Sequence, residues 1–143
     1  MNALNGTPSV QRFGTITIEA ATITSNGLEP GSAVRKIAFE TDEFISLVTH
    51  LEYSGEALVA LGLVVKHGTL ALDPLRIEIL GFGRNWLREH GMIENHARKA
   101  SALLKSRGFV VEHPDTRGAI GKKRQVLAGE RFGWSQAVLD DAM

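Results

Sequence analysis

The sequence predicts an α+β protein, and three patterns support that prediction. Near the N-terminus, apolar and polar residues alternate through residues 11–24 and again through 34–40, as they do in half-buried strands. Further along the chain, apolar residues recur every three or four positions, which is typical of amphipathic helices. Between Gly91 and Gly108 one such helix runs directly into a β-favouring segment at residues 109–111.

The N-terminal part of the chain predicts a β-hairpin followed by a helix. The two alternating segments flank residues 25–31, which are rich in turn-forming residues, so we expect a hairpin over residues 11–40. Thr41 is the expected N-cap of the helix, because two acidic residues follow it in the first turn. The buried side of this helix is expected to consist of Phe44, Leu47, Val48 and Leu51.

The middle of the chain leaves two assignments open. Ser54 is the expected N-cap of a second helix ending near Gly68, although a strand through residues 61–65 is the competing interpretation. Residues 73–74, an Asp-Pro pair, favour a third helix. The alternation over residues 76–79 favours a strand instead. The helical interpretation depends on the spacing of Leu75, Ile79, Phe82 and Trp86.

Residues 93–107 are predicted to form one helix that delivers the chain into a β-hairpin. The buried stripe of the helix is expected to contain Ile93, Ala97, Ala100 and Leu104. Residues 109–112 should pair antiparallel with 124–128 across a basic, glycine-containing loop. Residues 129–134 are predicted to form a turn, and residues 136–141 a short final helix that starts at Ser135.

The segment Leu104-Lys-Ser-Arg-Gly108-Phe109, with Gly91 closing the preceding helix, resembles the second half of a winged helix-turn-helix DNA-binding domain. The resemblance covers about residues 54–128 and implies a winged-helix-like domain there. Together with the patterns on either side, it predicts an α+β fold of three parts: an N-terminal β-hairpin plus helix at residues 1–53, joined to the winged helix-turn-helix at 54–128, and a C-terminal turn and short helix at 129–143.

The charges are distributed unevenly, although the chain of 143 residues has no net charge. Residues 84–124 contain ten Lys or Arg and four Asp or Glu, a net charge of +6. Residues 1–83 have a net charge of −4, and residues 125–143 have −2. Such asymmetry suggests contact with nucleic acid, although a solvated basic face with no partner is the alternative.

The resemblance gives specific roles to polar residues in this basic segment. Side chains on the first turns of a recognition helix read base edges, and Lys and Arg contact phosphates. A wing of basic residues would clamp the backbone or the minor groove. The DNA-binding residues predicted in this way are Asn95, His96, Arg98, Lys99, Lys105, Arg117, Lys122, Lys123 and Arg124, with Ala102 on the same face.

The residues do not form the motifs of an enzyme, a metal site or a cofactor site. Gly81-Phe-Gly83 lacks the third glycine of a dinucleotide loop, and Gly121-Lys122 lacks the Ser or Thr of a phosphate loop. The five His residues do not have metal-ligand spacing, and cysteine is absent. We therefore expect a non-enzymatic protein without a metal or cofactor. The lack of a long apolar run and of a signal-peptide pattern predicts a cytoplasmic protein without a membrane span.

The sequence is compatible with two functions. The first is a DNA-binding regulator of transcription or of plasmid or phage replication, acting as a dimer on duplex DNA. The second is a small inhibitor or adaptor that binds a protein with an acidic surface in a nucleic-acid-processing or host-defence complex. The zero net charge of the whole chain favours the second function.

Overall fold

The computed structural model describes residues 12–20, 33–72, 75–113, 124–127 and 129–135. They form an α+β fold in which helices pack against two small sheets. None of the helices in this part of the chain is by itself both long and apolar enough to cross a membrane. In chain order the strands and helices are β1 (Thr15–Ala20), β2 (Ala33–Ala38), α1 (Thr41–His50), α2 (Gly55–His67), β3 (Thr69–Leu72), β4 (Leu75–Leu80), α3 (Arg84–Glu89), α4 (Glu94–Ser106), β5 (Val110–Glu112), β6 (Arg124–Leu127) and β7 (Gly133–Trp134).

The first sheet confirms the predicted N-terminal hairpin. Strands β1 and β2 pair antiparallel, with Ile16 opposite Ile37, while the predicted turn at residues 25–31 lies outside the described residues. Strand β7 pairs parallel to β1 and places Trp134 beside Ile16. The prediction of a turn throughout residues 129–134 is therefore wrong for β7, although a short 3-10 turn does precede it at Gly129–Arg131. The predicted final helix at 136–141 also lies outside the described residues.

Helix α1 was predicted, but its N-cap is one residue earlier than expected. Glu40 is the cap instead of Thr41, because its backbone N–H donates to Glu43 Oε1 at 2.8 Å in a reciprocal capping arrangement. Leu47 and Leu51 are fully buried as predicted, but Phe44 is 43% exposed. Phe44 instead contacts the ring of Phe39 edge-on at the surface.

Helix α2 confirms one of the two open interpretations, and the alternative strand through 61–65 is wrong. The Ser54 hydroxyl accepts a hydrogen bond from the backbone N–H of Ala57 at 3.2 Å, as expected for an N-cap. Ala57, Leu61 and Val65 are buried, and Leu58 is partly buried. The helix contacts both β2 and α4, so it connects the packing of the first sheet to that of α4.

The segment after β3 is strand β4, which confirms the strand interpretation of residues 76–79, whereas the competing helix from Leu75 is wrong because α3 begins only at Arg84. Strand β4 pairs with β3 and, through Glu78 opposite Val126, with β6. Ile77 and Ile79 point into the core, as alternation in a strand requires. Gly81 then turns the chain with a φ of +71°. The second sheet has the strand order β3-β4-β6-β5.

The central helix and the hairpin after it confirm the predicted secondary structure. Gly91 and Gly108 both have a positive φ, at +108° and +77°, and each ends the helix before it. Strands β5 and β6 are antiparallel, with Val111 opposite Val126. Ile93 was predicted to be buried, but it is 62% exposed, because it caps α4 from outside the helix.

The core lies where α2, α3 and α4 meet the two sheets. Leu47, Leu61, Leu104 and Phe109 are fully buried, which confirms their prediction as core residues. Trp86 and Leu58 were predicted to be mostly buried, but they are only partly so. The other large residues that are fully buried are Phe13, Ile16, Leu51, Ile77, Ile79, Leu87, Leu127 and Phe132.

Candidate functional site on helix α4

Helix α4 has one buried side and one side that is open to solvent. The buried side contains Ala97, Ala100, Ser101 and Leu104 and packs against α2 and α3, where the small alanines permit close approach. We call the opposite side the α4 face. It is defined by exposed residues spaced at i, i+3, i+4, i+7 and i+11: Asn95, Arg98, Lys99, Ala102 and Ser106.

Three of the predicted DNA-binding residues are neighbours on the α4 face. Asn95, Arg98 and Lys99 are all exposed, and Arg98 Nη2 lies 3.5 Å from Asn95 Oδ1. Within the described part of the chain, neither Arg98 nor Lys99 has a carboxylate within salt-bridge distance. Both cations are therefore available to a partner with negative charge.

His96 and Lys105 lie at the two edges of the α4 face. His96 is exposed on the edge near the start of α2, where its charge and that of Lys99 act on Glu56. Lys105 lies on the opposite edge, with its Nζ 5.8 Å from the ring centroid of Phe82. A flat partner that covers the α4 face would reach these two side chains at its margins.

Acidic residues surround the α4 face, and the sequence analysis did not anticipate them. Hydrogen bonds from the backbone and from Ser54 lower the pKa of Glu56, and the charges of His96 and Lys99 lower it further. Glu94 lies 3.7 Å from Arg84 Nη1 and 3.9 Å from Arg88 Nε, both at exposed positions. The surface around α4 therefore has mixed charge.

Beside the α4 face runs a shallow groove of about 530 Å³. Its far wall is the turn between α1 and α2, where Glu52 and Ser54 line the groove. Glu52 and Tyr53 both have left-handed backbones, with φ of +57° and +59°, a conformation uncommon for residues other than glycine. Tyr53 is 75% exposed. Glu52 pairs with Arg107, a contact that joins this turn to the end of α4.

Nothing in the local sequence pointed to this turn. Glu52 and Tyr53 are not typical of left-handed positions, so the sequence contained no glycine or asparagine to mark them. The conformation is closed by backbone hydrogen bonds from Tyr53 to Val48 and from Ser54 to Leu51, at 2.6 and 3.1 Å. The packing of α2 on α4 then brings the turn beside the α4 face.

At the end of the β5–β6 pair nearest the connecting segment, Arg124 participates in a largely buried polar cluster. Its Nη1 donates to Glu78 Oε1 at 3.1 Å, while His113 Nε2 lies 3.0 Å from Glu78 Oε2. Glu78 and His113 are buried, but the side chain of Arg124 is 53% exposed. Burial alone would raise the pKa of Glu78, but hydrogen bonds and charges from Arg76, His113 and Arg124 outweigh burial and leave the pKa lowered.

Arg117, Lys122 and Lys123 lie outside the described residues, in the segment that connects β5 to β6. Among the described residues, no group of three His, Asp or Glu side chains could hold a metal ion. Comparison with protein-family models, with curated proteins and with solved structures found no match.

Proposed function

We propose that the chain is a non-enzymatic DNA-binding regulator in which α3, α4 and the β5–β6 hairpin form a winged helix-turn-helix. The element order supports this proposal: a short turn that contains Gly91 joins α3 to α4, and Gly108 follows α4 shortly before the antiparallel strands β5 and β6. In this arrangement α4 is the recognition helix, and the hairpin is the wing.

The observation that best supports the proposal is the chemistry of the α4 face. Asn95 is in the first turn of the helix, where an amide can donate to and accept from the edge of an adenine. Arg98 and Lys99 follow on the same side without carboxylate partners among the described residues, so they can contact phosphates or guanine. A helix with one open, polar face suits insertion into a major groove.

The β5–β6 hairpin would supply contacts beside the groove. Its connecting segment contains Arg117, Lys122 and Lys123, and the half-exposed Arg124 follows directly at the start of β6. Lysines in a wing recognise backbone charge and not base identity. We therefore assign these cations to affinity and Asn95 to specificity. A homodimer on a symmetric site, in the cytoplasm, completes the proposal.

A second candidate function has a specific observation in its favour. Tyr53 and Ile93 are large, highly exposed residues near the groove beside the α4 face and at its N-terminal end, respectively. Aromatic and apolar side chains are enriched in protein interfaces, and the glutamates around α4 weaken attraction to DNA. In this case the α4 face would bind an acidic surface on a protein partner, and the chain would be an inhibitor or adaptor.

Fluorescence anisotropy with labelled duplexes distinguishes the two functions. The full chain should bind random and genomic duplexes at about 50 mM salt and much more weakly at about 200 mM. Asn95→Ala should lower affinity for a preferred sequence by about 1–3 kcal/mol. Ser106→Ala, on the same face but at the end of α4, is the matched control and should change little. If the wild type does not bind the duplexes even at low salt, the DNA-binding function is wrong, and the protein-binding function is favoured.

A further inference from the structure

A cavity of about 310 Å³ lies between α2, α1 and β2, and none of the residues of the α4 face lines it. This volume is at the lower end of the range for small-molecule sites. Its walls are mainly apolar. The apolar side chains that line it are Ile37, Phe39, Phe44, Leu58, Leu61 and Val65.

One charged side chain, Arg35, also lines this cavity. Its Nη1 donates to the carbonyl of Val65 at 3.1 Å and also to that of Gly68, which fixes the guanidinium at the end of α2. Among the described residues no carboxylate pairs with Arg35. Burial lowers the pKa of Arg35, but an arginine stays protonated in proteins. Within the part of the chain that the structure describes, this partly buried cation has carbonyl acceptors but no carboxylate partner.

Gly62 is an independent observation at the same cavity. It lies in the middle of α2 and lines the cavity, although glycine is a poor residue for the interior of a helix. Its backbone does not require glycine, and a Cβ atom there would meet nothing within 4 Å. Packing therefore gives no reason for a glycine at this position. The glycine leaves this part of the cavity wall without a side chain, and a large side chain there could reach into the cavity.

We propose that the cavity binds a small organic acid with an apolar body, whose carboxylate pairs with Arg35 and whose body lies between Phe39, Phe44 and the side of α2 that carries Gly62. An ionised carboxylate and a guanidinium match in charge and in fork geometry. The apolar walls select against a strongly hydrated anion such as free phosphate, because burying it there would cost its hydration. The site does not involve the α4 face, so it does not depend on the proposed binding of DNA.

Isothermal titration calorimetry of the full chain with decanoate and with decan-1-ol tests this proposal. Decanoate should bind with a stoichiometry of one and at least about tenfold more tightly than the alcohol, since a charge-assisted hydrogen bond is lost with the carboxylate. Arg35→Gln should reduce decanoate affinity to that of the alcohol. Gly62→Phe should abolish binding of both ligands, because the added ring occupies the open cavity, whereas Gly62→Ala should bind as the wild type does.

The two sets of variants separate loss of the site from loss of the fold. Arg35→Gln removes hydrogen bonds to the end of α2, so its thermal unfolding must be recorded beside the titration. Gly62→Phe tests the cavity without touching those bonds. Equal binding of decanoate and decan-1-ol to the wild type, or undiminished binding to folded Gly62→Phe, would overturn the proposal. The absence of decanoate binding to the wild type would also overturn it.

Discussion

Arg124 Nη1 donates a hydrogen bond to Glu78 Oε1 at 3.1 Å, which links strand β6 to strand β4 through their side chains. Glu78 is buried, and its Oε2 accepts a hydrogen bond from Arg76 Nε. The same oxygen lies beside His113 Nε2. Arg124 was expected from the sequence to contact DNA. In the structure it joins the start of β6 to β4, and its side chain is 53% exposed.

Acidification should weaken this cluster in a predictable direction. The folded-state pKa of Glu78 is lowered from its usual 4.5, so the carboxylate stabilises the fold above that pH, and the stabilisation is lost as pH falls through the folded pKa. Glu78→Gln should therefore cost about 1–3 kcal/mol near pH 7. It should also lose less stability than the wild type between pH 5 and pH 2. Urea unfolding across this pH range measures both effects.

The control for this prediction is Glu89→Gln, an exposed glutamate of α3. Its unfolding free energy at pH 7 should stay within about 0.5 kcal/mol of the wild type. Parallel pH profiles for the wild type and Glu78→Gln would show that Glu78 is not the group that links stability to pH.

Truncation of Leu104 tests the orientation of α4. Leu104 is fully buried, so Leu104→Ala should lower the unfolding free energy by about 2–5 kcal/mol. Ile93→Ala is the matched control, because the sequence placed Ile93 on the same stripe, while the structure leaves it 62% exposed. That variant should change stability by about 0.5 kcal/mol or less. Similar losses for both variants in denaturant unfolding would mean that α4 packs through a different face.

Two glycine-to-alanine substitutions should have opposite effects on the thermal midpoint. Gly108 has a φ of +77°, and a Cβ there would also lie 3.3 Å from Arg131 Nη2. Gly108→Ala should therefore cost about 1–2 kcal/mol. Gly62→Ala should stabilise the fold by up to about 1 kcal/mol, because its position is helical and unobstructed. Midpoints that shift in the same direction would contradict one of the two backbone assignments.

Neutralising Glu56 should strengthen DNA binding if the α4 face contacts phosphates. Glu56 acts electrostatically on Lys99 and His96, so Glu56→Gln removes a negative charge from the edge of the site. Affinity at low salt should rise by about two- to fivefold, typical of a single exposed charge interaction. Asp42→Asn, which removes an exposed acid from α1, is the control for net charge. An equal gain in both variants would point to a non-specific effect of net charge.

Local patterns predicted much of the fold because most of its helices are specified locally. Glycines with positive φ mark both ends of the α4 region, and Ser54 caps α2 as its sequence context predicted. Strand β4 was ambiguous, because Leu75 and Ile79 fit both a helical and an alternating pattern. Pairing with β6, which is distant in sequence, decides in favour of the strand. Strand β7 is too short to be recognised without its partner β1.

The candidate site was predictable to the extent that one helix defines it. Helical periodicity placed Asn95, Arg98 and Lys99 together, and the structure leaves all three exposed. It could not place Glu52 or Glu56 beside them, because tertiary packing of α2 on α4 brings those residues there. Nor could it show that Arg124 already has a buried partner.

We propose that Arg98 and Lys99 on the α4 face contact DNA phosphates, and the salt dependence of binding tests these contacts most directly. Log affinity of the wild type for a duplex should fall linearly with log salt concentration. The double variant Arg98→Ala/Lys99→Ala should bind more weakly, with a slope flatter by about two units, because each lost phosphate contact contributes about one. Lys66→Ala, an exposed lysine of α2, should keep the wild-type slope. An unchanged slope in the double variant would contradict the claim.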